Sequence, residues 1–173
     1  GALHLDGLMD SADGLFSGRA KEQKLEIMKD SRIGAMGAIT LVIVILLKVA
    51  FLDSLVIADQ SWVLLVAPAV GRFMMVYTIC RYPYARPGGG LGAAFGGEAG
   101  YPKLMGALLL LLAGAWLAQA WTALTAAVIT IALGALIAAW IAKQLGGVTG
   151  DTFGAICESS ETIFIITAAL LVS

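Results

Sequence analysis

Charge is scarce in this chain. Asp, Glu, Lys and Arg make up 13% of its 173 residues, against about 25% in soluble domains. Histidine occurs once, as His4, and cysteine twice, as Cys80 and Cys157. Two cysteines build no disulfide framework, and no second Cys or His stands at ligand spacing for a thiolate or imidazole metal site. No Ser–His or Cys–His arrangement points to a nucleophilic mechanism. The net charge of −1 leaves no concentrated basic surface, which argues against nucleic acid as a partner. No internal repeat suggests the two-fold architecture of a transporter. An initiator Met and a signal peptide are also missing. The chain opens at Gly1 inside a motif, which leads us to expect a missing upstream part.

Apolar residues dominate. The chain is 60% hydrophobic with a mean hydropathy of +0.90, the composition of an integral membrane protein. Five apolar stretches stand near the length of about 20 residues that a bilayer core requires. They run roughly over Gly34–Ile57, Trp62–Cys80, Leu104–Trp121, Leu124–Ala142 and Ala155–Val172. The short Gln119–Thr122 link predicts an antiparallel hairpin of the third and fourth. Ahead of them lie an Asp-bearing helix over 1–16 and a charged amphipathic segment over 17–33. The expected fold is all-α: a polytopic membrane helical bundle of about five transmembrane helices, forming a single catalytic domain over 1–173 with the acidic motif in 1–33 and the bundle in 34–173.

Basic residues fall on alternate connections: Arg19, Lys21, Lys24, Lys29 and Arg32 before the first span, Arg81, Arg86 and Lys103 after the second, and Lys143 after the fourth. The positive-inside rule places these connections in the cytoplasm. Trp62 and Trp121 then reach the outer interface. Nearly all carboxylates gather on the cytoplasmic side, Asp53 and Asp59 being the exceptions.

Asp6, Asp10 and Asp13 follow the spacing i, i+4, i+7, so a helix brings them within roughly 60° of one another. A carboxylate at bilayer depth costs about 2.5–3.5 kcal/mol, and three together also repel one another. Water, a cavity or a cation must relieve them. Hard oxygen donors without a nearby Cys favour Mg²⁺ or Mn²⁺ over Zn²⁺. Asp6, Asp10 and Asp13 are therefore the expected metal ligands. Gly7 and Gly14, each following an Asp, suit close approach of a phosphate or a neighbouring helix.

Three further stretches carry polar chemistry. EIMKDSRIG over 26–34 sets Lys29, Ser31 and Arg32 beside Asp30 and Glu26, either as phosphate donors or as an ordinary helix with i, i+4 charge pairs. ARPGGGLGAAFGGEAGYPK over 85–103 is glycine-rich, with Arg81 and Arg86 at its entry. It reads as a cradle for an anion or as a plain connection, and it lacks the GKS/T ending of a Walker loop. LGGVTGDTFGAICESSE over 145–161 holds Asp151 and Glu158. They are either an N-cap with first-turn acids or a second acidic site. Within the spans, Arg72 is expected to face the bundle interior near substrate phosphate. Lys48 has no assigned role, and His4 is a weak candidate one turn from the aspartates.

HLDGLMDSADGLFSGR (4–19) and KLEIMKDSRIGAMG (24–37), continued by GLGAAFG (90–96) and GDTFGA (150–155), resemble the cobalamin synthase family, the adenosylcobinamide-GDP ribazoletransferases. The resemblance covers nearly the whole chain, although family members carry a further hydrophobic N-terminal region. It implies a Mg²⁺-dependent transferase of the kind that moves substituted phosphate groups. GDP-cobinamide and α-ribazole, or its 5′-phosphate, would be joined with release of GMP, in the last steps of vitamin B12 assembly. It further implies a prokaryotic multi-pass inner-membrane enzyme facing the cytoplasm, with homo-oligomerisation open. Phosphoryl-type transfer requires positioning and charge neutralisation. The expected parts are metal on Asp6, Asp10 and Asp13, phosphate donors in Lys29, Ser31, Arg32, Arg72 and Arg81, and Asp13 or Asp30 as proton acceptor. Two rivals come from other chemistry. A CDP-alcohol phosphotransferase would show D-G-x2-A-R-x8-G-x3-D-x3-D, yet Asp10-Ser11 stands where Ala-Arg belongs. A Mg²⁺ transporter would place acids midway through several spans.

Overall fold

In the computed structural model, which describes residues 2–86, 100–117 and 121–172, helices account for nearly everything. They are α1 (Leu3–Leu15), α2 (Lys21–Ile27), α3 (Ala35–Ile57), α4 (Val63–Arg81), α5 (Tyr101–Leu117), α6 (Trp121–Leu145) and α7 (Gly150–Val172). With 23, 19, 25 and 23 residues, α3, α4, α6 and α7 are long and apolar enough to cross a membrane. At 1.5 Å per residue the shortest of them still spans about 28 Å. The third expected span is different. It forms α5, whose 17 described residues lie at the lower end of the roughly 17–25 that cross a bilayer, which makes it a shorter apolar helix than the other four. The described chain thus holds four full-length spans and one shorter apolar helix, a polytopic membrane bundle.

α7 sits at the centre and packs against α1, α3, α4 and α6. Its buried face runs from Thr152 to Ala168 and includes Ile156 and Phe164. Val66, Val70 and Met74 of α4 and Ala126, Ala127 and Ala138 of α6 close around it. Trp62 meets Phe164 edge to face at 6.1 Å between ring centroids, the arrangement that suits the ring quadrupoles. α3 lies at the periphery, with only 6% of its apolar window buried. Side chains such as Ile39, Val42, Leu46 and Val49 are exposed on it, as expected where the surrounding medium is lipid.

Two boundaries depart from the sequence reading. The amphipathic segment is helical only over Lys21–Ile27, and an irregular connection follows to Gly34. α7 begins at Gly150, ahead of the apolar stretch that opens near Ala155 and one residue before Asp151, where the sequence suggests a helix start. The reason is local capping: Thr149 Oγ1 accepts the Thr152 N–H at 3.3 Å, while Thr152 Oγ1 accepts the Thr149 N–H at 2.8 Å. This reciprocal pair occupies the cap position, so Asp151 is left free of the N-cap role. α6 ends on Gly146 at φ +68°, and the Gly147 N–H reaches back to the Ala142 carbonyl at 2.9 Å. Lys24 of α2 donates to Gln144 Oε1 at 2.5 Å, which docks α2 on this end of α6. The link ahead of Trp121 (118–120) and most of the glycine-rich stretch (87–99), GLGAAFG included, lie outside the described residues.

Candidate active site

The site is built on a close crossing of α1 and α7. A Cβ on Gly7 would stand 2.6 Å from the Asp151 carbonyl oxygen, and one on Gly154 would stand 2.8 Å from the His4 carbonyl oxygen. Glycine on both sides lets two backbones approach where no side chain fits. The approach sets Asp10 of α1 within the field of Asp151 in the first turn of α7, with Asp6 one turn earlier on α1.

Their fields converge on Asp10. Its carboxyl is pushed up from an ordinary 3.8 to about 6, first by partial burial and then by the negative charges of Asp151, Asp6 and Asp13, with Arg86 as the opposing cation. Like charges that share a site resist ionising together. Asp6 is exposed and Asp10 half-buried, so both can reach a ligand from outside the bundle.

Asp13 faces elsewhere. Its Oδ2 accepts the Gly34 N–H at 2.7 Å and its Oδ1 accepts the Gly37 N–H at 2.8 Å. Those two amides open α3 and have no intrahelical partner, and a carboxylate there also meets the positive end of the helix dipole. A Cβ on Gly37 would lie 2.5 Å from Asp13 Oδ2, so glycine is needed for the carboxylate to enter. The three aspartates therefore share a helix face without converging on one point. Among the described residues, no group of three acidic, His or Cys side chains has the spacing of a formed metal site.

Asp151 is met by Arg86, whose Nη2 donates to Asp151 Oδ2 at 2.5 Å and to the Met28 carbonyl at 3.3 Å. A backbone clip fixes Arg86. The Ala85 N–H donates to the Val148 carbonyl at 2.8 Å and the Val148 N–H to the Pro83 carbonyl at 2.9 Å. Gly147 at φ +150° allows the clip, since a Cβ there would run into the Pro83 carbonyl oxygen. Arg86 Nε is buried and has no hydrogen-bond partner among the described residues. Sequence reading noted Arg86 only as the entry to the glycine-rich stretch. The residue that faces Asp151 is 65 positions away in sequence, and no local periodicity reports such a pairing.

The expected phosphate donors are dispersed. Arg32 closes on Asp30 through Nε at 2.9 Å and Nη2 at 2.5 Å, and these hydrogen bonds hold the Asp30 carboxyl down at about 2. Lys29 and Ser31 are exposed in the same connection. Arg81 ends α4, exposed, its guanidinium 5.4 Å from the Tyr82 ring centroid. Arg72 pairs with the partly buried Glu161, but its own side chain is 50% exposed, so it reaches in from the bundle surface rather than facing the interior as expected. Glu158 pairs with Lys48 at 2.6 Å, so Asp151 and Glu158 belong to separate clusters. The signal for the deep pairs was present in the sequence: Lys48, Arg72, Glu158 and Glu161 lie within apolar stretches, where charges must pair.

Residues 1–169 match the family described as Cobalamin-5-phosphate synthase. A protein of Desulforamulus reducens named adenosylcobinamide-GDP ribazoletransferase is 51% identical over 168 residues, which cover 96% of this chain and 67% of that protein. Proteins of the same name from Roseiflexus sp. and Herpetosiphon aurantiacus are 42% and 45% identical, covering 97% and 99% of this chain and 62% and 68% of theirs. This chain therefore spans about two-thirds of their length. No solved structure matches it. The chain belongs to the cobalamin-5-phosphate synthase family.

Proposed function

We propose that this chain carries the acidic site of an adenosylcobinamide-GDP ribazoletransferase embedded in a prokaryotic inner membrane, with that site at the cytoplasmic face. The observation that carries the reading is the close approach of α1 to the Asp151 backbone at Gly7, which brings Asp10 under the negative charges of Asp151 and Asp6, within a chain that belongs to this family. The rival phospholipid and transport readings find no support in the family match.

In the reaction, the ribose 3′-hydroxyl of α-ribazole, or of its 5′-phosphate, attacks the phosphorus attached to the corrinoid arm. A new P–O bond forms, the bond to GMP breaks, and the hydroxyl proton passes to a carboxylate of the cluster. The donor set fits a hard divalent cation. It is all oxygen, and the carboxylates of Asp6, Asp10 and Asp151 outnumber the single opposing cation, Arg86. Asp6 and Asp10 would hold Mg²⁺, with Asp151 as the acid nearest to them on α7. When bound, such an ion neutralises diphosphate oxygens and stabilises the departing GMP. Arg86, held in place by Asp151 and the Met28 carbonyl, would add positive charge facing the same diphosphate. Asp13 and Asp30 have engaged carboxylates, one capping α3 and the other held by Arg32, which makes both poor proton acceptors. Lys29, Ser31 and Arg81 keep exposed donors for substrate. The test is incubation of the full-length protein in detergent with GDP-cobinamide, α-ribazole and Mg²⁺. Formation of GMP and a complete corrinoid in equal amounts is expected. CMP release from CDP-diacylglycerol and an alcohol, with no GMP, would overturn the reading.

A further inference from the structure

α7 leaves the acidic cluster and enters the apolar core with two more carboxylates, and cations from two other helices meet them there. Lys48 of α3 donates to Glu158 Oε2 at 2.6 Å and to Glu161 Oε2 at 2.9 Å. Arg72 of α4 pairs with Glu161 Oε1. Two cations thus balance two carboxylates. Glu158 is only 8% exposed, in a region where an uncompensated charge is strongly disfavoured. The space for this meeting is made by Gly71, which precedes Arg72: a Cβ there would stand 2.7 Å from Glu161 Cγ. On α7, Asp151 and Glu158 are spaced i, i+7, within roughly 20° of each other around the axis. The rotation of α7 that aims Glu158 at Lys48 therefore also aims Asp151 at α1.

We propose that Lys48, Arg72, Glu158 and Glu161 form a charge-balanced rotational lock on α7 that positions Asp151 against Asp6 and Asp10. They are positioning residues, and what the lock requires is net neutrality. Arg72 serves the site through Glu161 and α7 rather than by touching phosphate. The inference rests on the reading of the α1–α7 cluster as the active site.

Cys157 adjoins Glu158, is fully buried and directs its Sγ to Glu161 Oε1 at 3.7 Å, which makes it a native reporter of any opening of this cluster as α7 turns. In the full-length protein carrying Cys80→Ser, maleimide labelling of Cys157 is followed by peptide mass, and GMP release is followed against Mg²⁺ concentration. Lys48→Met leaves a carboxylate unbalanced. We expect labelling to rise about 10-fold and turnover to fall about 100-fold, the scale of a misplacement near 1 Å. Adding Glu158→Gln to Lys48→Met restores neutrality. Labelling should return to the wild-type rate and turnover to within about 5-fold, because a balanced site no longer holds an unpaired charge. Lys48→Arg keeps the charge and should label as wild type. Gly71→Ala keeps all four charges but displaces Glu161, and should raise labelling even if Lys48→Met cannot be purified. The lock is overturned if Lys48→Met or Gly71→Ala leaves labelling unchanged. It is also overturned if the neutral pair stays as inactive as the single variant while Cys157 is protected, since that outcome assigns the residues to substrate. A wild-type protein without GMP release would refute the functional reading alone, and the labelling pattern would still decide the lock.

Discussion

Gly7→Ala is the most direct perturbation of the α1–α7 crossing. The added methyl would lie 2.6 Å from the Asp151 carbonyl oxygen, where ordinary contact begins at 3.4 Å. The difference is about 0.8 Å, and it falls on backbone, which has no rotamer with which to yield. α1 and α7 must then part, and the Asp6–Asp10–Asp151 cluster widens by a similar amount. A misplacement of this size costs about 100-fold in turnover, while the overpacking itself costs about 1–3 kcal/mol of stability. Gly114→Ala in α5 is the control. A Cβ there meets nothing within 4 Å, so helix propensity alone operates and favours Ala by about 1 kcal/mol. The assay pairs GMP release over a Mg²⁺ titration with thermal unfolding in detergent. The expected result is a Gly7→Ala protein that remains folded, has lost about two orders of magnitude in turnover and requires more Mg²⁺. A Gly7→Ala enzyme with wild-type turnover and Mg²⁺ demand would refute the assignment of function to this crossing.

Asp10→Asn should lower GMP release by at least about 100-fold, the scale of losing one central electrostatic stabiliser. Metal-free thermal stability should hold or rise, because the most strongly repelled carboxylate has gone; a clear drop in melting temperature would contradict the repulsion. Asp13→Ala removes the cap of α3 and should cost about 1–2 kcal/mol of stability, read as a lowered melting temperature at every Mg²⁺ concentration; an unchanged melting temperature would refute the capping role. The metal-free protein should lose stability as pH rises from about 4 to about 6. Asp10 holds its proton to about 6 in the fold but releases it near 3.8 when unfolded, so within that window the folded state binds the extra proton and is weakened by its loss. Saturating Mg²⁺ should cancel the decline, and a metal-free melting temperature that rises across the window would refute the sign.

The legibility of the site varied with the range of the interactions. The helix over 1–16 and its acidic face could be read from spacing, since i, i+4 and i+7 are local geometry. Whether Asp13 would join its neighbours could not. It stands two turns along the helix from Asp6, only about 20° around the axis, and the arrival of α3, with amides at Gly34 and Gly37, captured it. The Asp30–Arg32 pair is likewise local, and sequence reading placed its members side by side while assigning Arg32 to substrate phosphate and Asp30 to proton acceptance. The apolar stretch opens later than α7 itself because apolarity marks the part of a helix in lipid, whereas the Thr149–Thr152 cap marks where the hydrogen bonds begin.

By itself the sequence determined the medium, the helical class, the family and the residues able to bear charge, because composition, helical period and motif are properties of the chain alone. Only the tertiary structure decided the pairings. Asp151 with Arg86, Asp13 with the head of α3, and Lys48 and Arg72 with the glutamates of α7 join residues far apart in the chain. In an apolar surround each charge must find a partner, and which partner it finds depends on which helices the glycines allow to touch.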